Sequence, residues 1–316
     1  MLARHAEDLF WMGRYLERSE NTARLLDVTY HAVLEAIMPD PERQWRDLLE
    51  VLALDDAPGA EEAVNASSIT RFLLAGAENP GSIRNCVARC RENARAVRDA
   101  LSAEMWEAIN TFHLELARSP VAQSSTYELF RVVKARCHLV AGAATATMPR
   151  GEGYRFFVLG GVMERAILTS RWLAHAYSRF SEASGSGSFH EWVVILKSMS
   201  AYEAYLRLHR ASMEPGRVLE FLLQSRDYPR SVLWCLNVAD SQVQRLATNR
   251  IGRQAARMSG RLRAEVEFAD ASNHEPKALA GLLSGVSHDL ESLASAIEAD
   301  YFRPGADESL HSYEAI

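Results

Sequence analysis

The sequence predicts an all-α fold, a compact bundle of about ten to twelve helices built from two pseudo-repeated halves. Two observations carry this prediction. Apolar residues recur at steps of three and four along almost every segment, and no stretch alternates with the period of two that marks a strand. A charged helix motif also occurs twice, at corresponding places in the two halves of the chain.

The first predicted helix contains residues 9–26 and has no proline in its interior. Its apolar residues form one stripe at helical spacing. Glu17 and Arg24 are seven residues apart, so they share a stripe with Asn21 between them, whereas Arg18 faces about 100° away from Glu17. This charged helix is the element around which the rest of the chain is predicted to pack.

Proline, glycine and capping residues divide the remainder of the first half. Short helices are expected at about 44–54 and 64–74, and Ser82 is placed to cap the next helix. Ser119-Pro120 opens a longer helix that runs to about Thr147. The strongest break follows at Pro149, Gly151 and Gly153. We therefore expect a first half at 1–150, a second half at 151–303 packed with it as one body, and a tail at 304–316.

The second half begins with a predicted helix from Tyr154 to about Phe180. A capping box, Ser188 to Glu191, opens the next helix. Glu214-Pro215 and Tyr228-Pro229 mark two further helix starts. The last long helix extends from about Lys277 to Tyr301.

An internal repeat relates the two halves. At an offset of 147 residues, eight pairs are identical: Phe10, Gly13, Glu17, Arg18, Thr22, Arg24, Leu26 and Tyr30 match Phe157, Gly160, Glu164, Arg165, Thr169, Arg171, Leu173 and Tyr177. Pro80-x-Ser82 resembles Pro229-x-Ser231 at an offset of 149. We infer a duplication, and we expect the two Glu-Arg helices to meet at the centre, where Gly13 and Gly160 permit close approach.

Each copy of the motif places a glutamate and an arginine on one helix stripe about 10 Å apart, too far to pair with each other. Two interpretations stay open. The glutamates and arginines form ion pairs across the bundle, or they line a polar cavity whose arginines hold an anionic ligand. The candidate residues are Glu7, Arg14, Tyr15, Glu17, Arg18, Asn21, Arg24, Glu164, Arg165 and Arg171. The first copy is the better candidate for a site because it is more polar.

Composition excludes several classes of function. A net charge of −6 argues against a nucleic-acid-binding protein. The longest apolar run, 156–163, is far too short to span a membrane. The four cysteines lack the spacing of a disulfide framework, which favours a cytoplasmic protein with reduced thiols. Metal-binding spacings on interior helices are missing, so neither a metal site nor a cofactor is expected.

Several blocks together resemble the bacterial alpha-E domain family, which is named for its helical fold and its Glu-Arg motif. The opening block comprises Met1-Leu2-Ala3-Arg4, Trp11, Gly13-Arg14-Tyr15, Glu17-Arg18 and Glu20-Asn21-Thr22-Ala23-Arg24. Later blocks are Ser82-Ile83-Arg84, Arg91-Glu92-Asn93, Met163-Glu164-Arg165-Ala166, Ser200-Ala201-Tyr202-Glu203 and Pro229-Arg230-Ser231-Val232. The resemblance extends to about residue 303.

The resemblance implies partners and leaves the chemistry open. Such proteins occur beside, or fused to, a circularly permuted ATP-grasp ligase and often a transglutaminase-like cysteine peptidase. We therefore expect an accessory or substrate-binding helical subunit of an ATP-grasp amide- or peptide-ligase system, with an anionic or peptide-like ligand. One alternative is an enzyme that uses Glu17 or Glu164 as acid or base. A further alternative is a purely structural scaffold.

Overall fold

The computed structural model describes residues 1–35, 40–57, 64–118, 126–182, 188–209, 213–248, 251–271 and 276–303. Within these ranges the chain forms thirteen α-helices, one 3₁₀ turn and no strand. The helices are α1 (Ala3–Leu34), α2 (Pro41–Val51), α3 (Ala66–Ala75), α4 (Ile83–Ala96), α5 (Ala103–Arg118), α6 (Thr126–Thr147), α7 (Glu152–Glu182), α8 (Phe189–Ser198), α9 (Tyr202–His209), α10 (Pro215–Gln224), α11 (Val232–Leu246), α12 (Arg253–Glu267) and α13 (Pro276–Tyr301). The all-α prediction is confirmed.

The described helices outnumber the ten to twelve expected. One reason lies between α8 and α9, where neither proline nor glycine marks a break. The backbone instead turns at Ser200, which has a φ of 56°. The cap predicted at Ser119-Pro120 and the predicted tail at 304–316 lie outside the described residues.

The predicted caps within the described ranges are confirmed. The Ser82 hydroxyl accepts a hydrogen bond from Asn85 N at the start of α4. Ser231, a cap that the sequence did not predict, accepts one from Trp234 N at the start of α11. Ser188 and Glu191 form the expected reciprocal capping box of α8. These side chains satisfy backbone N–H groups that have no partner within their own helix.

The two longest helices, α1 with 32 residues and α7 with 31, pack against each other at the centre of the bundle. Helices α4 and α6 cover α1, whereas α11 and α13 cover α7. The helix that follows each central helix contacts the other central helix: α2, which follows α1, contacts α7, and α8, which follows α7, contacts α1. The Glu-Arg helices thus meet in the interior, as expected.

Matched turns end α2 and α8. Ala53 and Ser200, which are 147 residues apart, both adopt a left-handed backbone, with φ of 54° and 56°. Leu54 N donates to Leu49 O at 2.9 Å, and Ala201 N donates to Leu196 O at 2.7 Å. A duplication would produce such matched turns, although the common origin of the halves and the boundary at residue 150 stay predictions.

Two further expectations concern the environment of the chain. No helix in the described ranges combines the length and the apolar character that a membrane crossing requires. All four cysteines lie in these ranges, and they are buried and form no disulfide. Burial raises the pKa of the Cys86, Cys90 and Cys235 thiols to about 12, so these thiols are protonated at neutral pH.

Candidate functional site

Two glycines bring the central helices into backbone contact. A Cβ atom at Gly13 would overlap the carbonyl oxygen of Phe157, and one at Gly160 would overlap the carbonyl oxygen of Phe10. Each glycine therefore contacts the phenylalanine that lies three residues before the other glycine. At this separation, side chains on α1 reach across to α7.

The two motif glutamates each bind the arginine of the other helix. Arg165 donates from Nε and Nη2 to the two carboxylate oxygens of Glu17, at 2.8 and 2.7 Å. Arg18 donates in the same bidentate way to Glu164, at 2.6 and 3.0 Å. Such paired charge-assisted bonds fix both distance and orientation. Both motif glutamates therefore form ion pairs across the bundle.

A second arginine reaches each glutamate, and the two come from different places in the chain. Arg14 donates from Nε to Glu164 at 2.8 Å, whereas Arg230 lies 3.2 Å from Glu17. By the sequence offsets, the counterpart of Arg14 is Gly161 and the counterpart of Arg230 is Gly81. Each buried glutamate thus has a second arginine partner, but the two arginines are not equivalent in the repeat.

On the Glu17 side of the interface the Arg230 side chain fills the place that Gly81 leaves open on the other side, and Arg24 lines a separate cavity of about 320 Å³. Arg230 donates to Asn21 Oδ1 at 2.8 Å and also binds Glu20. Glu20 binds Arg24 as well, and His138 Nε2 lies 3.6 Å from it. Burial alone would raise the pKa of Glu20. The opposing effect of Arg230, His138 and Arg24 is larger, so the pKa of Glu20 is well below its usual range. Glu20 is therefore ionised at physiological pH, and we call Glu17, Glu20, Asn21, Arg24 and Arg230 the sealed cluster.

The two later motif arginines behave differently from each other. Arg171 reaches a neighbouring helix, as expected, and donates to Glu291 on α13 at 2.6 Å. Arg24 does not reach a carboxylate on another helix: it binds Glu20 one turn earlier on α1, together with the Ser200 hydroxyl. Arg24 therefore binds a carboxylate of its own helix and meets a neighbouring element only through Ser200, because Glu20 occupies the adjacent turn of α1.

The Glu164 side opens into a cavity of about 400 Å³. It lies between α1, α7 and α13, and the end of α2 and the turn before α4 close it. Its lining residues include Arg14, Arg18, Thr22, Val51, Leu54, Gly81, Glu164, Ile167, Leu168, Arg171, Glu291 and Glu298. By the sequence offsets, Gly81, Ile167 and Leu168 stand where the other half has Arg230, Glu20 and Asn21. The larger side chains at these positions on the Glu17 side occupy the space that corresponds to the cavity on the Glu164 side.

Charge is distributed unevenly around this cavity. Arg14 and Arg18 on α1 hold Glu164 between them, whereas Glu291 and Glu298 project from α13 on another wall. Burial raises the pKa of Glu164, but the two arginines outweigh it and hold the pKa at about 2. The cavity therefore has an arginine-rich wall on α1 and a carboxylate wall on α13, and Arg171 of α7 binds Glu291 of that second wall.

The predicted site residues do not all meet. The structure brings together Arg14, Glu17, Arg18, Asn21, Arg24, Glu164 and Arg165, with Arg171 on the cavity wall. Tyr15 instead faces α4, where its hydroxyl accepts from Arg89 at 3.4 Å. Glu7 lies ten residues before Glu17, and no described ion pair joins it to the cluster. The role of the set as a functional site stays a prediction.

Arg230 is the residue that the sequence interpretation missed. Its signal was present, because it occupies the variable position of the repeated Pro-x-Ser stretch, where the first copy has Gly81. Buried and bound to Glu17, Glu20 and Asn21, it connects the second half to the sealed cluster of the first.

A separate group of metal-ligating side chains lies where α2 meets α7. One ligand atom from each of Asp47, Glu50 and His175 lies within 4.8 Å of the others. The sequence predicted no metal site, since His175 lies more than 100 positions after Asp47 and Glu50 and the three residues match no spacing motif. This group is the one set of potential metal ligands that the described ranges contain.

Comparison with known proteins finds long relatives of undetermined role. An uncharacterized protein of Mycobacterium bovis and two of Mycobacterium tuberculosis are 27% identical to this chain over 321 aligned positions. The alignment covers 92% of this chain and 36% of each relative, so the chain spans about a third of their length. No solved structure matches.

The family comparison bears on the Glu-Arg helices directly. Residues 1–302 match Alpha-E, described as a predicted alpha-helical domain with a conserved ER motif. This chain carries that Glu-Arg pair twice, at 17–18 and 164–165, and joins both copies by reciprocal ion pairs. With the match extending over nearly its whole length, the chain belongs to the Alpha-E family.

Proposed function

We propose that this chain is the ligand-binding helical component of an ATP-grasp amide- or peptide-ligase system, and that it holds an anionic or peptide-like ligand in the cavity beside Glu164. The cavity carries the proposal, because about 400 Å³ lies within the range of small-molecule pockets. The family resemblance supplies the partners, an ATP-grasp ligase and a transglutaminase-like peptidase. The proposed location is the cytoplasm.

The lining of the cavity favours a ligand that carries both charges. Arginines line the α1 wall, and carboxylates line the α13 wall. Ile167 and Leu168 add apolar surface on α7. A short peptide or an amino acid with a free carboxylate and a free ammonium group matches this arrangement, because each charge meets its opposite. This match supports a peptide-like ligand.

The surroundings of the motif glutamates support ligand binding better than they support a catalytic role for these two residues. A general base works best when its pKa lies near the working pH, and Glu164 has a pKa of about 2. Both oxygens of Glu17 are bound by Arg165, and Arg230 lies beside them. The enzyme alternative therefore has less support, while the structural alternative suits the sealed cluster around Glu17.

A cavity-filling variant tests the proposal. Gly81→Arg places in the cavity the side chain that the other half carries at Arg230, and Gly81 has no backbone strain that requires glycine. Isothermal titration with dipeptides bearing free termini, and with the same dipeptides blocked at both ends, measures binding. We expect the free dipeptides to bind the wild type and the blocked ones to bind more weakly.

The matched control is Gly142→Arg on α6, where a side chain meets open space. Binding should survive in Gly142→Arg and be lost in Gly81→Arg, with both variants folded by circular dichroism. Equal binding by the two variants, or no dipeptide binding by the wild type, contradicts the proposal. Co-purification with the ATP-grasp ligase tests the association separately, and the absence of a complex counts against it.

A further inference from the structure

The group at the α2–α7 contact is independent of the cavity beside Glu164. Asp47 and Glu50 lie one turn apart on α2, and His175 lies on α7. His175 Nε2 is 3.2 Å from Asp47 Oδ1, and its Nδ1 is 3.2 Å from Glu50 Oε2. The imidazole is thus placed between two carboxylates from a single helix.

The contact between His175 and Asp47 is not a hydrogen bond. His175 Nε2 is shielded from solvent and has no hydrogen-bond partner, although the Asp47 oxygen is only 3.2 Å away. The Trp172 ring stacks on the imidazole with an interplanar angle of 6°, which limits rotation of the ring. Two atoms 3.2 Å apart that each bind one ion at about 2.1 Å subtend an angle of about 100° at that ion, close to tetrahedral.

Local charge favours a cation at this position. Asp47, Glu50 and Glu191 contribute three negative charges, and Arg179, which binds both Asp47 and Glu191, contributes one positive charge. Arg179 uses Oδ2 of Asp47, so Oδ1 remains directed towards His175. With a neutral imidazole the group carries an excess of two negative charges, which a divalent ion balances.

We propose that Asp47, Glu50 and His175 form a binding site for a divalent transition metal of the Zn²⁺ type. Asp47 Oδ1 and His175 Nε2 supply two ligands. The exposed Glu50 carboxylate, now 3.2 Å from the opposite ring nitrogen Nδ1, supplies the third by a rotation of its side chain. A cavity of about 560 Å³ lined by all three residues gives water access to the remaining coordination position. A mixed imidazole and carboxylate set favours Zn²⁺ over Mg²⁺ or Ca²⁺, which prefer oxygen ligands alone.

Zinc titration of the full chain, with any histidine tag removed, tests the site. We expect one equivalent of Zn²⁺ to bind by isothermal titration calorimetry at neutral pH, with much weaker binding of Mg²⁺ and Ca²⁺. His175→Gln should abolish this binding, and Glu50→Gln should weaken it roughly 10- to 100-fold. The matched control is His31→Gln, because His31 also lies 3.2 Å from a carboxylate, that of Asp27, without a third ligand.

Two outcomes overturn the proposal. The first is an absence of zinc binding, which would mean that His175 only bridges the carboxylates as an ion pair. The second is binding that persists unchanged in both His175→Gln and Glu50→Gln. Glu50 is half-exposed on α2, so Glu50→Gln remains informative if His175→Gln fails to fold.

Discussion

Gly13 on α1 and Gly160 on α7 are packed reciprocally, each against the carbonyl of the phenylalanine three residues before the other. No side chain fits at either position without moving a helix backbone. The close approach that they allow places Arg18 within reach of Glu164, and Arg165 within reach of Glu17. The charge network of the bundle therefore depends on two residues that have no side chain.

Replacing either glycine should destabilise the protein. Gly13→Ala and Gly160→Ala each force α1 and α7 apart, and overpacking of this kind costs roughly 1–3 kcal/mol of unfolding free energy. Gly142→Ala is the control, because its methyl group meets open space and alanine favours a helix by about 1 kcal/mol. Urea unfolding should show opposite signs for control and test variants, and a neutral Gly13→Ala would refute the packing argument.

Removing Arg230 from the sealed cluster should lower the unfolding free energy far more than removing an exposed arginine. Arg230→Gln leaves Glu17 and Glu20 short of a buried positive charge, and breaking one partner of such a network costs roughly 3–5 kcal/mol. Arg46→Gln removes the partner of Glu42 in an exposed pair and should change stability by less than about 0.5 kcal/mol. Similar unfolding free energies for the two variants would show that the cluster does not stabilise the fold.

Stability should depend on pH through Glu164. Its pKa falls from 4.5 to about 2 on folding, so the folded state gains stability above pH 4.5 and loses it as the pH falls towards 2. The corresponding contribution is about 3 kcal/mol. Chemical unfolding between about pH 5 and pH 3 should show a steeper loss for the wild type than for Glu164→Gln. Parallel pH profiles would contradict the assigned pKa.

The left-handed turn after α2 offers a stabilising substitution. Ala53 has a φ of 54°, where glycine is less strained, so Ala53→Gly should raise the unfolding free energy by up to about 1 kcal/mol. Ser200→Gly at the matched turn should gain less, because it loses the hydrogen bond from Arg24. Thermal melts of both variants provide the measurement, and destabilisation by Ala53→Gly would contradict this account.

Local pattern was enough to predict much of the fold and part of the site. Helical spacing identified the long helices, and caps such as Ser82 and the Ser188–Glu191 capping box identified helix starts. The separation of Glu17 and Arg24 by two turns implied partners elsewhere, which the structure provides for Glu17. Glycines repeated at the same offset indicated where the central helices meet.

The remaining features depend on contacts that spacing does not encode. Arg230 joins the sealed cluster from a turn that lies 210 residues beyond Glu20, and Gly81 leaves the corresponding place open on the other side. The packing of the turns before α4 and α11 is needed to show this difference, in which Arg230 fills the space that remains a cavity beside Gly81. His175 likewise meets Asp47 only because α2 crosses to the opposite half.

The swapped ion pairs have a consequence for how the chain matures in the cell. Glu17 emerges from the ribosome 148 residues before Arg165, and Glu20 emerges 210 residues before Arg230. A nascent first half consequently keeps its acidic residues in water, because burying them without partners is costly. We expect the central helices to dock late, only after Arg230 has emerged, and to do so in a single concerted step.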